Sequence, residues 1–368
     1  MSVSVHTLLK QIKEKVEDRK VYLFGSAIRD ILLSEKPKSF DFYIRVHHAD
    51  KEKDDVTAKL PLYKNVRYVV GTSFEISEPF TVNNLYVEVD DMLNNRVNIE
   101  SFHNGWRDFI KGTVRFTRDS IEDMKPEWML EAINISVDTG FHLDPKTINE
   151  IFRHRALITT IDRRKIYHFL TDSIKSKRPR RVISLMNTLG MSEELFGMKM
   201  RETSAVNHLK PSDSLELFTI LFSSVPDAEI GKFLVDKCGF FERDTVHIAN
   251  LIKALNEIDM ENKNGIEFEA RKFLTTIGKK RIQNAIRLLN QMDHKELAKT
   301  VKKQKGNAIG AEEVAVDKNM IKAAFGIAND EMLDKLMNIA MNKVITQPEF
   351  NTRTKLLTYL NTERKNLS

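Results

Sequence analysis

Val21-Tyr22-Leu23-Phe24-Gly25-Ser26-Ala27-Ile28-Arg29-Asp30-Ile31-Leu32-Leu33 is the stretch on which the fold turns. Val21 to Phe24 read as a short buried strand, and Ile28, Ile31 and Leu32 share one face of a helix. Gly25-Ser26 lies at the junction. A glycine there reaches backbone conformations that other residues resist, and the free N–H groups that open a helix attract phosphate. Many such turns contain glycine for geometry only. Gly25, Ser26 and Arg29 are therefore candidate phosphate-binding residues whose weight depends on the rest of the chain.

Upstream, Leu8, Leu9, Ile12 and Val16 give helical spacing over His6 to Val16. Downstream, strands are expected at Phe40 to Val46, Val66 to Val70, Ser73 to Ile76 and Leu85 to Val89, while the charged run Asp50 to Asp55 reads as a loop. From Pro126 onward strand-like alternation disappears. Pro126 suits a first helical position and Gly140 a C-terminal stop; Asp144-Pro145 caps and starts the next helix, and Pro179 and Gly190 bracket another. The remainder reads as helix after helix, without an internal repeat. The fold class is α+β, a small mixed sheet with helices followed by an elongated all-helical region. The expected division is a head over 1–121, a neck over 122–200, a body over 201–306 and a tail over 307–368.

The chain has 368 residues, 41% hydrophobic and 30% charged, with a formal net charge of +6, enough length for two or three domains with buried cores. It has no apolar run long enough to span a bilayer, and Met1 to Lys10 lacks a leader pattern, so no membrane partner and a cytoplasmic location are expected. A single cysteine, Cys238, excludes an internal disulfide. The charge is clustered: Arg153, Arg155, Arg163, Arg164, Lys165, Lys175, Lys177, Arg178, Arg180 and Arg181 fall in one stretch, and Lys295, Lys299, Lys302, Lys303 and Lys305 in another. Such clusters attract phosphate backbones and release counterions on binding, and they equally suit a solvated helix face.

The stretch from Val21 resembles the head motif of the class II CCA-adding enzymes (tRNA nucleotidyltransferases) and bacterial poly(A) polymerases: a hydrophobic strand, Gly-Gly or Gly-Ser, an apolar pair, Arg-Asp, then Leu-Leu. In that family Asp-x-Asp follows on the next strand and holds two magnesium ions, which activate the RNA 3′ hydroxyl and bridge the nucleotide triphosphate. Here the segment is Ser39-Phe40-Asp41, and the first carboxylate is a serine. Glu75 is the candidate for the third acid. The family's Arg-Arg-Asp-Phe-Thr-x-Asn-Ala-Leu reads Ser77-Glu78-Pro79-Phe80-Thr81-Val82-Asn83-Asn84-Leu85, and Glu78 has the wrong sign for a phosphate. Gly105 and Asp108 fit a further motif. In Lys125 to Ser136, Pro126, Leu130 and Ala132 remain, while Trp128, Glu131 and Asn134 stand where the family has arginines. Gly140-Phe141-His142-Leu143-Asp144 is similar to Gly-Phe-x-Ile-Asp, Asp162 to Ile166 resembles the family's neck segment, and Ile321 to Ile327 looks like the tail of the longer bacterial members.

The resemblance implies a polymerase-beta-like nucleotidyltransferase head on a helical neck, body and tail. Backbone-shaping residues are retained, and those that would bind metal or triphosphate are replaced. Three readings follow. The leading one is a binding protein for tRNA or another structured RNA, its polymerase activity weak or lost, with the basic stretch from Arg153 to Arg181 on the phosphates. The second is a diverged but active RNA 3′-end nucleotidyltransferase using Mg2+ and ATP or CTP, with Asp41 and Glu75, joined by Asp30 or Glu88, rebuilding a metal site. The third is a structural subunit with protein partners.

Overall fold

The computed structural model describes residues 4–75, 77–96, 98–118, 121–202, 214–278, 281–307 and 310–367. The chain separates into two compact units, Met1–Ile161 with Ser176–Lys199, and Asp162–Lys175 with Met200–Ser368.

The first unit begins with α1 (Val5–Val16), whose start is capped by Ser4 and whose Leu8, Leu9, Ile12 and Val16 are buried. Then come β1 (Val21–Phe24), α2 (Ser26–Leu32), β2 (Phe40–Arg45), α3 (Ala49–Lys59), β3 (Val66–Gly71) and β4 (Leu85–Glu88). After α4 (Val89–Leu93), β5 (Glu100–Ser101) completes a sheet of order β3-β2-β1-β4-β5. β2 and β3 run parallel, and the other pairings are antiparallel. Leu23, Phe42, Ile44, Leu85 and Val87 form the core on one face with the apolar residues of α1.

Two expectations are corrected here. Asp50 to Asp55 lies inside α3 rather than in a loop. Parallel strands need a long crossover connection, and α3 supplies it between β2 and β3, buried through Val56 and followed by buried Leu60. Ser73 to Glu75 is irregular rather than a strand, and Ile76 lies outside the described residues. Phe74, inside that expected strand, lies across the other face of the sheet, stacked on Tyr22 at 4.3 Å and 4.9 Å from Tyr43.

The unit continues with α5 (Gly105–Lys111), β6 (Thr113–Val114), α6 (Pro126–Thr139), β7 (His142–Leu143) and α7 (Pro145–His154). Proline does open α6 and α7, Asp144 caps α7 through the Lys146 N–H, and Gly140 ends α6 at φ 82°. The second unit takes α8 (Arg163–Ile174), and the chain returns to the first with α9 (Pro179–Thr188) and α10 (Met191–Phe196).

The regular elements among the other described residues of the second unit are helices: α11 (Ser214–Leu221), α12 (Asp227–Cys238), α13 (Glu242–Asn256), α14 (Gly265–Ile277), α15 (Ile282–Gln291), α16 (Lys295–Lys303), α17 (Lys318–Phe325), α18 (Asp330–Thr346) and α19 (Arg353–Leu367). One core gathers α13 to α16 around Phe273, Leu274, Leu288 and Leu297, and another gathers α17 to α19 around Ile321, Leu336 and Leu356. Buried Arg271 links α14 to the end of α18 through the carbonyls of Ile345 (2.5 Å) and Thr346 (3.2 Å). Among the described residues no helix is long and apolar enough to cross a membrane. The α+β architecture expected from the sequence is the one present.

Candidate functional site

Gly25 leaves β1 at φ 84°, in the left-handed region where a side chain is strained, and its N–H bonds the Leu85 carbonyl at 3.0 Å. A Cβ on Gly25 would lie 3.3 Å from Asp41 Oδ2. The turn into α2 therefore passes tightly over Asp41, which β1 and β2 bring opposite Phe24. Ser39 and Asp41 flank buried Phe40, so the strand's period of two sends both to the cleft side.

A cleft of about 310 Å³ opens there, lined among others by Ser26, Arg29, Ser39, Asp41, Asn83 and Glu131. Asn83 belongs to the 3-10 turn Thr81–Asn83, anchored by fully buried Phe80 stacked on Phe116 at 4.8 Å. Thr81 donates to buried Asp108 at 2.7 Å, and Arg115 pairs with the same carboxylate. Gly105 lets the start of α5 close on this turn, since a Cβ there would come within 2.3 Å of the Thr81 carbonyl. The resemblance motif around Phe80 is thus kept for shape.

The charges in the cleft are paired. Parallel register sets Arg67 beside Asp41. Its Nε donates to Asp41 Oδ1 at 2.6 Å and its Nη2 to Glu78 Oε1 at 3.1 Å. Arg29 donates to Asp30 at 3.0 and 2.8 Å and to Asn83 Oδ1 at 2.7 Å, so it pins α2 to the 3-10 turn. Lys38 meets Asp138 at 2.7 Å. Asn83 in turn donates to Glu131 at 3.3 Å. Burial, and then the charge of Glu78, push the Glu131 carboxyl up to about 7, with Arg29 pulling the other way. The lining holds three basic side chains against five carboxyl groups.

Magnesium wants near-octahedral oxygen ligation at about 2.0–2.1 Å. In this cleft Asp41 has one oxygen committed to Arg67, and Ser39 offers a neutral hydroxyl. No cluster of three or more His, Cys, Asp or Glu among the described residues is arranged to hold a metal ion. Glu75 is exposed, off the strands and absent from the cleft lining. Glu88 points to Lys20 at 3.4 Å, and Asp30 is held by Arg29. The residues present do not fit a two-metal centre.

The basic stretch divides between the units. Arg153, Arg155, Lys177, Arg178, Arg180 and Arg181 belong to the first; Arg163, Arg164, Lys165 and Lys175 belong to the second. Four of them have close partners inside the first unit. Arg155 pairs with Glu194 at 3.0 Å and lies over the Phe152 ring at 4.1 Å. Arg178 donates to the Val137 carbonyl at 2.8 Å, and Arg181 to the Phe141 carbonyl at 2.7 Å and Ser136 Oγ at 3.0 Å. Both arginines thus serve the carbonyl end of α6, where the helix dipole favours a cation. Lys177 meets Glu35, and Arg153 and Lys175 have only loose partners in Glu150 (3.8 Å) and Asp172 (4.0 Å). Arg163 sits 3.6 Å from Asp236, and Arg164, Lys165 and Arg180 are exposed. On α16, exposed Lys295, Lys299, Lys302 and Lys303 form a stripe opposite buried Leu297, Ala298 and Val301; the Lys305 side chain lies outside those described.

Sequence reasoning singled out Asp41, Gly25, Ser26 and Arg29, and all four line the cleft. It missed Arg67, Lys38 and Asp138. The alternation Val66-Arg67-Tyr68 does send Arg67 away from the core, but nothing in it names Asp41 as the partner, because that follows from parallel register.

No family profile and no curated protein sequence matches the chain. Solved structures do. The Bacillus stearothermophilus CCA-adding enzyme in complex with CTP superposes with a TM-score of 0.66 at 14% identity, over 98% of this chain and 97% of that one. A CCA-adding enzyme with ATP gives 0.64 at 15%, over 98% and 93%, and a tRNA-processing enzyme with CTP gives 0.58 at 15%, over 91% and 100%. The chain has the fold of the CCA-adding enzymes.

Proposed function

We propose that this protein grips tRNA or a similarly structured RNA on a CCA-adding scaffold in which nucleotide transfer is weak or lost. The observation that carries the reading is the pairing inside the cleft. Arg29, Lys38 and Arg67 each face a carboxylate, so every basic side chain of the lining already has an acidic partner with which a triphosphate would compete. The neighbours of this fold include enzymes bound to CTP or ATP and a tRNA-processing enzyme, which supports RNA as the partner. The exposed residues Arg153, Arg163, Arg164, Lys165, Lys175, Lys177 and Arg180, with the stripe on α16, give both units basic side chains facing solvent. Phosphate contacts of this kind give affinity and position without reading sequence.

The test is fluorescence anisotropy of labelled tRNA across salt concentrations. A protein making several phosphate contacts loses affinity by orders of magnitude between about 50 and 200 mM salt. Affinity that stays flat over that range, or no binding at low salt, contradicts the reading. The second reading, a diverged but active nucleotidyltransferase using Mg2+, draws on the close approach of Gly25 to Asp41, with the Asp41 Oδ2 atom 3.3 Å from a Cβ built on Gly25.

A further inference from the structure

We infer that the Arg67 guanidinium stands in this cleft for the divalent cation that the resemblance implies, and that it keeps the cleft free of divalent metal. The inference rests on the cleft half of the proposed function and is independent of the RNA grip.

Arg67 reaches Asp41 by backbone register, since β2 and β3 pair the two residues directly. It is held between two carboxylates, as a metal would be: Nε lies 2.6 Å from Asp41 Oδ1 and Nη2 lies 3.1 Å from Glu78 Oε1. The backbone that carries the second carboxylate is itself fixed. The Glu78 N–H donates to Asn84 Oδ1 at 3.1 Å, and Asn84 Nδ2 donates to the Glu78 carbonyl at 3.0 Å. The guanidinium takes up one lone pair of Asp41 Oδ1 and sets a like charge close beside any small divalent ion that would bind this carboxylate at about 2 Å. Ser39, two residues before Asp41 on the same side of the strand, supplies no compensating charge. One positive charge between two carboxylates leaves the local balance negative by one; of the remaining lining carboxyls, Asp30 and Asp138 are paired with Arg29 and Lys38, and Glu131, raised to about 7, is held by Asn83.

The test uses Mn2+ alone, titrated into the full chain with free Mn2+ followed by electron paramagnetic resonance. The wild type is expected to take up no more Mn2+ than its Asp41→Asn variant. The double variant Ser39→Asp/Arg67→Gln is expected to gain one site, at least about tenfold tighter than anything in the wild type, because added ligand charge governs such affinities; adding Asp41→Asn removes it. Wild-type Mn2+ binding that Asp41→Asn abolishes overturns the inference, and so does a folded double variant that binds no better than wild type. The wild-type comparison decides by itself if the double variant does not fold. Failure of the RNA grip is read separately, in the salt dependence of tRNA binding.

Discussion

Glu131 stands half-buried on α6 with Asn83 as its donor at 3.3 Å and Glu78 as a like charge facing it. Its carboxyl is lifted from the usual 4.5 to about 7, first by burial and then by that charge. The sign of the consequence follows from linkage. Between about pH 4.5 and 7 the unfolded chain ionises this group while the folded chain still holds the proton, so folding loses stability as pH rises through that window and levels off above it. Glu131→Gln removes the group. Urea unfolding at several pH values should show the wild type losing stability relative to the variant across that window, and a constant difference would contradict the assignment.

At the scale of elements, α6 and α9 are joined by guanidinium groups. Arg178 and Arg181 take up carbonyls at the end of α6, and Gly140 leaves room for this, since a Cβ there would lie 3.1 Å from Arg178 Nη2. Arg180, between them in sequence, is exposed and bonds nothing among the described residues. The neighbours should therefore behave in opposite ways. Arg181→Ala removes charged donors to the Gly140 and Phe141 carbonyls and to Ser136 Oγ and should cost about 1–3 kcal/mol in denaturant unfolding. Arg180→Ala should stay within about 0.5 kcal/mol of wild type and instead weaken tRNA binding. Equal stabilities for the two variants would contradict this division.

The same elements mark what the sequence discloses. Local rules suffice for α1, α6 and α7, because Leu8, Ile12 and Val16 share a face, Pro126 and Pro145 open helices, and Gly140 closes one. They fail for α3, which lacks an apolar stripe and exists because β2 and β3 are parallel. They fail again for Phe74, an apolar residue of an irregular segment that packs on a sheet face rather than within a strand. In the cleft, Gly25 and Asp41 are legible as a motif, whereas the Arg67 clamp depends on strand register and the work of Arg178 and Arg181 on tertiary packing.

At the scale of the whole molecule, each of the two units presents exposed cations. The stripe on α16 provides a graded test. Lys299→Ala, Lys302→Ala and Lys303→Ala, combined one by one, should each lower the slope of log affinity against log salt by about one per lost phosphate contact. A triple variant with unchanged slope would exclude α16 from the RNA surface.

The most direct measurement is incorporation of labelled CTP or ATP into tRNA trimmed of its 3′ end, with Mg2+, under salt conditions where the protein binds that RNA. With Asp41 held by Arg67 and Ser39 in place of a carboxylate, incorporation should be absent or marginal and no different in Asp41→Ala. Clear extension of the RNA that Asp41→Ala abolishes would contradict the account.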